Sequence, residues 1–184
     1  MIRRVLAIVI VVGVAFLSAC NEGNDSTPTN TLIGTWSLSD MEADVEATTA
    51  AGPISLTAST AIDLIEADYQ IVVTENTMTA SGSYSLELTI NIDGLPPTTT
   101  TYEFNDIAGS VDYSVSGNTL NVEGSYFDLG VDGANFSEAG TTLEITYAIN
   151  GDQLTLTQNQ TTTIEEDQAS VNVTVSQVST WTRQ

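Results

Sequence analysis

Few side chains in this 184-residue chain are equipped for covalent or acid–base chemistry. It has no histidine and no lysine, which excludes Ser-His and Cys-His nucleophile pairs, imidazole metal ligands, Schiff bases and Ser-Lys chemistry. The 24 acidic residues are the remaining acid–base groups. Two carboxylates flanking a bond can hydrolyse a glycoside. The densest acidic run, Glu165-Glu166-Asp167, follows a threonine run and reads as a turn between strands. Most other acids alternate with apolar residues, which turns them toward solvent. The reading is a protein that is not an enzyme and carries no cofactor.

Carboxylates also bind calcium. In "DLGVDGANFSEA" at 128–139, Asp128, Asp132 and Gly133 stand in the register of an EF-hand loop. Gly130 occupies the third position and Ala139 the twelfth, so that ligand set is incomplete. Asp128, Asp132 and Glu138 remain as a looser calcium candidate. The charge itself is informative, because three arginines face those 24 acids and the net charge is −21. Nothing here neutralises phosphates, so nucleic acid is excluded as a partner. Self-repulsion of this size keeps a domain soluble and destabilises it, and salt should stabilise it.

The only cysteine, Cys20, follows an apolar run. Met1-Ile2-Arg3-Arg4 supplies a positive start, and Val5 to Leu17 carries no polar side chain. That run has signal-peptide length and is short for a membrane anchor. Leu17-Ser18-Ala19-Cys20 resembles the lipobox of bacterial lipoproteins. The resemblance implies a signal peptide over 1–19, cleavage before Cys20, and acylation (palmitate among the chains) of the Cys20 thiol and the new N-terminus. Two or more acyl chains hold a protein stably on a bilayer, at about 0.8 kcal/mol per buried methylene. The membrane is then a partner through the anchor alone. Asn21 replaces the aspartate that signals inner-membrane retention, which points to the outer membrane, on either its periplasmic or its surface face. Residues 20–31 read as the lipidated terminus and a polar tether, and 32–184 as the folded domain.

From Leu32 onward the dominant period is two. Tyr84, Leu86, Leu88, Ile90 and Ile92 alternate with polar residues, as do Leu143, Ile145, Tyr147 and Ile149, and Val171, Val173 and Val175. Asn150-Gly151 and Gly117-Asn118 are hairpin turns, and "DGLPP" at 93–97 ends one strand and starts another. Eight to ten strands with short connections result. The span 40–68 is ambiguous between helical turns and irregular strands. "YSVSGNTLNV" (113–122) and "YAINGDQLTL" (147–156) share a pattern that reads as two similar hairpins. The fold class is all-β, an antiparallel meander barrel, with a β-sandwich as the alternative.

"LIGTWSL" at 32–38 places Gly34 two residues before Trp36, and "TWTRQ" at 180–184 places Arg183 at the other end. This pairing resembles the Gly-x-Trp motif and C-terminal arginine of lipocalins and bacterial lipocalin-like lipoproteins. The resemblance implies that Trp36 plugs the closed end of a barrel with Arg183 over its ring. The Thr-Asp-Tyr motif of that family is missing, Val111-Asp112-Tyr113 being the nearest counterpart, and no C-terminal helix follows the last strand. The implied function is to bind a small apolar ligand inside the barrel. Tyr126 and Phe136 are the candidates for its mouth.

Overall fold

A computed structural model describes residues 31–51, 54–123, 142–166 and 169–184. Eight strands run in chain order: β1 (Gly34–Ala51), β2 (Ile54–Val73), β3 (Thr77–Ile92), β4 (Thr98–Ser116), β5 (Thr119–Glu123), β6 (Thr142–Asn150), β7 (Gln153–Glu166) and β8 (Ala169–Arg183). Each pairs antiparallel with its neighbour in sequence, and β1 pairs with β8 from Trp36↔Arg183 to Ala50↔Ser170. The sheet therefore closes on itself as a meander barrel, the first of the two architectures expected from the alternation. A sandwich would leave β1 and β8 as edges, and their ladder excludes it.

The described residues of 40–68 belong to β1 and β2, strands of 18 and 20 residues, and contain no helical turn. Their ambiguity has a local cause. The β1–β8 register slips between Leu38 and Asp40, and the β2–β3 register slips between Leu64 and Glu66. Each extra residue switches which parity faces inward. Trp36 and Leu38 point in, then Met41 and Ala43; Val73, Ile71 and Tyr69 point in, then Leu64 and Ile62. The extra residue Ile65 is left exposed at 52%. A strict period of two is lost where the strands bend.

One end, called the base here, carries the β2–β3, β4–β5 and β6–β7 turns and both ends of the barrel chain. These are braced to one another in a repeated way. Tyr113 N–H donates to Asn76 O at 2.9 Å, Tyr147 N–H to Asn118 O at 2.8 Å, and Arg183 N–H to Asp152 O at 2.8 Å. The Tyr113 hydroxyl also donates to Thr74 O, and the Tyr147 hydroxyl to Gly117 O at 3.3 Å. Both tyrosines open hairpins whose turns use a glycine in the left-handed region, Gly117 at φ 63 and Gly151 at φ 61. The two similar sequence segments are thus two equivalent hairpins, each tied to the turn before it.

The wall is uneven in height. β4 meets β5 only over Tyr113–Ser116, and β7 meets β6 only up to Gln158. Among the described residues, 98–112 of β4 and 159–166 of β7 therefore have a neighbour on one side only. Among the described residues, eight strands contribute to the base and six to the upper half. The outward face bears Glu42, Asp44, Glu46, Asp63, Asp68, Glu87 and Glu144, all exposed. That wall suits water, since carboxylates facing hydrocarbon are destabilising. Among the described residues no helix is long and apolar enough to cross a membrane. The ladder and the described core draw on residues 32–183, all of which a chain beginning at Asn21 retains.

Candidate ligand-binding lumen

Trp36 is completely buried at the base, and its indole N–H donates to Leu32 O at 2.8 Å. The Arg183 guanidinium carbon stands 4.2 Å from the centroid of that ring. Its Nη1 donates to Ile33 O at 3.2 Å and its Nη2 to Thr31 O at 2.7 Å. Gly34 has φ +148, and a Cβ there would come within 2.8 Å of Arg183 Nη1. Only glycine leaves the guanidinium its place. The structure brings Gly34, Trp36 and Arg183 together as one cap, in which a cation lies on an aromatic face and covers two backbone carbonyls.

Above the cap an aromatic cluster fills the lower half of the barrel. Trp181 lies against Tyr69 at 5.9 Å between centroids, Tyr69 meets Tyr84 edge-on at 5.1 Å, and Tyr84 stacks on Phe104 at 4.8 Å. These rings come from β8, β2, β3 and β4 and form a continuous floor. Tyr69, Phe104 and Trp181 were absent from the inward set read from the sequence, and they remove the lower half as ligand space. Burial pushes the Tyr69 hydroxyl up to about 12, because the phenolate would lose its water.

The inward residues expected from the alternation all take the inward face, but their burial is graded. Leu86, Ile145 and Val122, low in the barrel, are sealed. Higher up, Val45, Ala47, Thr60, Ile90, Ile92 and Val173 face the same interior and are only half-buried. In a filled core such side chains would be sealed by their opposite neighbours. Here the wall residues are small or medium-sized, and the upper interior is accessible.

Between floor and upper wall lies a polar patch. Gln158 and Gln177 are register partners on β7 and β8, both inward and both buried. Gln158 Nε2 donates to Gln160 Oε1 at 3.5 Å, and Gln177 Nε2 to Met41 Sδ at 3.5 Å. Ser179, fully buried below them, accepts the Trp181 indole N–H at 2.9 Å. The wall is therefore not wholly apolar, as the valine and leucine runs alone suggest. The same alternation carried the signal, since "LTLTQNQ" keeps Gln158 and Gln160 in phase with Leu154 and Leu156.

Other candidates fall elsewhere. Cys20, Tyr126 and Phe136, and the calcium candidates Asp128, Asp132 and Glu138, lie outside the described residues. The flanking positions Glu123 and Thr142 are register partners at the upper ends of the short β5 and β6. Among the described residues no group of three acidic side chains is placed to share a metal ion. A hollow of about 340 Å³ between β2, β3 and β4 is lined by Glu66, Asp68, Ser83, Ser85, Glu103 and Asn105 together with Ala67 and Tyr84, and by none of the cap residues. A scan against protein-family models finds no match, and searches of curated proteins and of solved structures return no similar protein.

Proposed function

We propose that this chain is a lipid-anchored protein of the outer membrane that holds a small apolar ligand in the upper half of its barrel. The anchor rests on the Leu17-Ser18-Ala19-Cys20 pattern. The ligand rests on one observation, the contrast between a sealed lower interior and an accessible upper one lined by valine, isoleucine, alanine and threonine. An eight-stranded barrel is just wide enough to hold one such molecule. Burying the aliphatic wall against a ligand gains about 25 cal/mol per Å² removed from water.

The test is titration of residues 21–184, free of the acyl chains, with the fluorescent probe N-phenyl-1-naphthylamine. Saturable binding near the micromolar range is expected, about −8 kcal/mol. Ala47→Phe, which fills the upper lumen, should weaken it without unfolding the barrel. Absence of saturable binding would refute the ligand reading and leave a barrel whose task is contact with other envelope components.

A further inference from the structure

The amides of Gln158 and Gln177 are the part of the lumen wall that a purely apolar cargo does not explain. Both are more than nine-tenths buried, and their neighbours on the same face are Leu156 and Gln160 on β7 and Val175 and Ser179 on β8. Each carboxamide offers two donors and a carbonyl with two lone pairs. One donor of each is used, at the long distance of 3.5 Å, and for Gln177 the acceptor is a thioether, which is weak. Neither carbonyl oxygen accepts a hydrogen bond among the described residues. Among the described residues no fully enclosed side-chain polar atom lacks a partner, so each of these two oxygens keeps some accessible surface. The two glutamines share a row of the ladder with the buried Ala43, Ile62 and Leu88, and in the row above Val45, Thr60 and Ile90 are half-buried while Val175 is buried.

Charge decides which head group fits there. Between the floor and the upper rim, as far as Thr162 on β7 and Val171 on β8, the inward positions of the described strands carry no cation and no carboxylate. An anionic head would be desolvated with no counter-ion, in the field of a chain of net charge −21. An ammonium head would find no carboxylate to pair with. An uncharged group that both donates and accepts satisfies the amides without either difficulty.

Resting on the lumen reading above, we propose that the preferred ligand is an uncharged amphiphile. Its alcohol or amide head docks on the Gln158–Gln177 pair, and its aliphatic chain runs up the wall past Val45, Ala47, Ile90 and Val173.

The experiment is displacement of N-phenyl-1-naphthylamine from residues 21–184 by four probes: 1-decanol, decanamide, decanoate at neutral pH, and 1-methoxydecane, an ether that cannot donate. Decanol and decanamide should displace at concentrations at least about tenfold below those needed for decanoate and the ether, the factor expected of one satisfied buried hydrogen bond. In the Gln158→Leu/Gln177→Leu double variant, decanol should fall to the level of the ether while the ether keeps its affinity. Gln177→Met, which preserves length and apolar packing, should lose part of the preference and serves if the double variant does not fold. Equal displacement by all four probes would overturn the head-group assignment and leave the lumen reading standing. A preference that survives in the variants would overturn the role of the two amides. Failure of the fluorescent probe itself to bind would overturn both readings.

Discussion

Removing the Arg183 side chain tests whether the base is held by the cap or by the strand ladder alone. In Arg183→Ala the main-chain bond from Arg183 N–H to Asp152 O remains, so the strand end stays attached. What disappears is the cation over Trp36 and the two donors to Ile33 O and Thr31 O. The cation–aromatic contact contributes about 0.5–2 kcal/mol. Two charge-assisted bonds contribute nominally about 1.5–3 kcal/mol each, nearer about 1 kcal/mol at this half-buried rim. The sum is about 2–4 kcal/mol, a large share of the roughly 5–15 kcal/mol that a domain possesses. For a domain of this size about 1 kcal/mol moves the melting temperature by about 2–4 °C, so a drop of about 5–15 °C is expected. Circular dichroism melting of residues 21–184 reads it directly. Because its partners are an indole and two carbonyls, the deficit should persist in high salt, and Arg183→Lys, which lacks the fork, should recover less than half of it. A variant melting within about 2 °C of wild type would refute the cap as a stabilising device.

Three further outcomes are expected. Tyr69 is neutral in the folded barrel to about pH 12 but ionises near 10 when unfolded, so its contribution is complete below about pH 10 and is lost as pH rises toward 12. Tyr69→Phe should flatten that alkaline loss, on the order of 2 kcal/mol, in denaturation curves across pH 9–12. Gly82→Ala should destabilise by more than about 3 kcal/mol or prevent folding, because a Cβ there would stand 1.9 Å from Asp68 O at φ +121, whereas Gly109→Ala, with nothing within 4 Å, should stay within about 0.5 kcal/mol. Cys20→Ser should abolish lipidation and cleavage at that site, read by detergent partitioning and mass spectrometry of the mature N-terminus; an unmodified Cys20 in the wild-type protein would sink the anchor.

Strand content and the meander were legible because each half-buried strand repeats with period two and because Asn-Gly and Gly-Asn turns encode hairpins locally. Gly34, Trp36 and Arg183 were legible as a group only through a resemblance, since 147 residues separate Arg183 from Trp36 and no local physics links them. Gln158 and Gln177 were readable in principle. Their parity puts them inward, but a sequence reading that follows apolar residues stops where the alternation turns polar.

The amino-acid sequence alone settled the face alternation of β3, β6 and β8, the absence of histidine and lysine, and the strong acidity, because each depends only on neighbours in the chain or on composition. Tertiary structure decided where parity switches at Ser39 and Ile65, that four rings from four strands fill the lower barrel, and that, among the described residues, six strands form the upper wall. Those features arise from pairing register across strands, and register is fixed by the closure of the whole ring, which no single segment encodes.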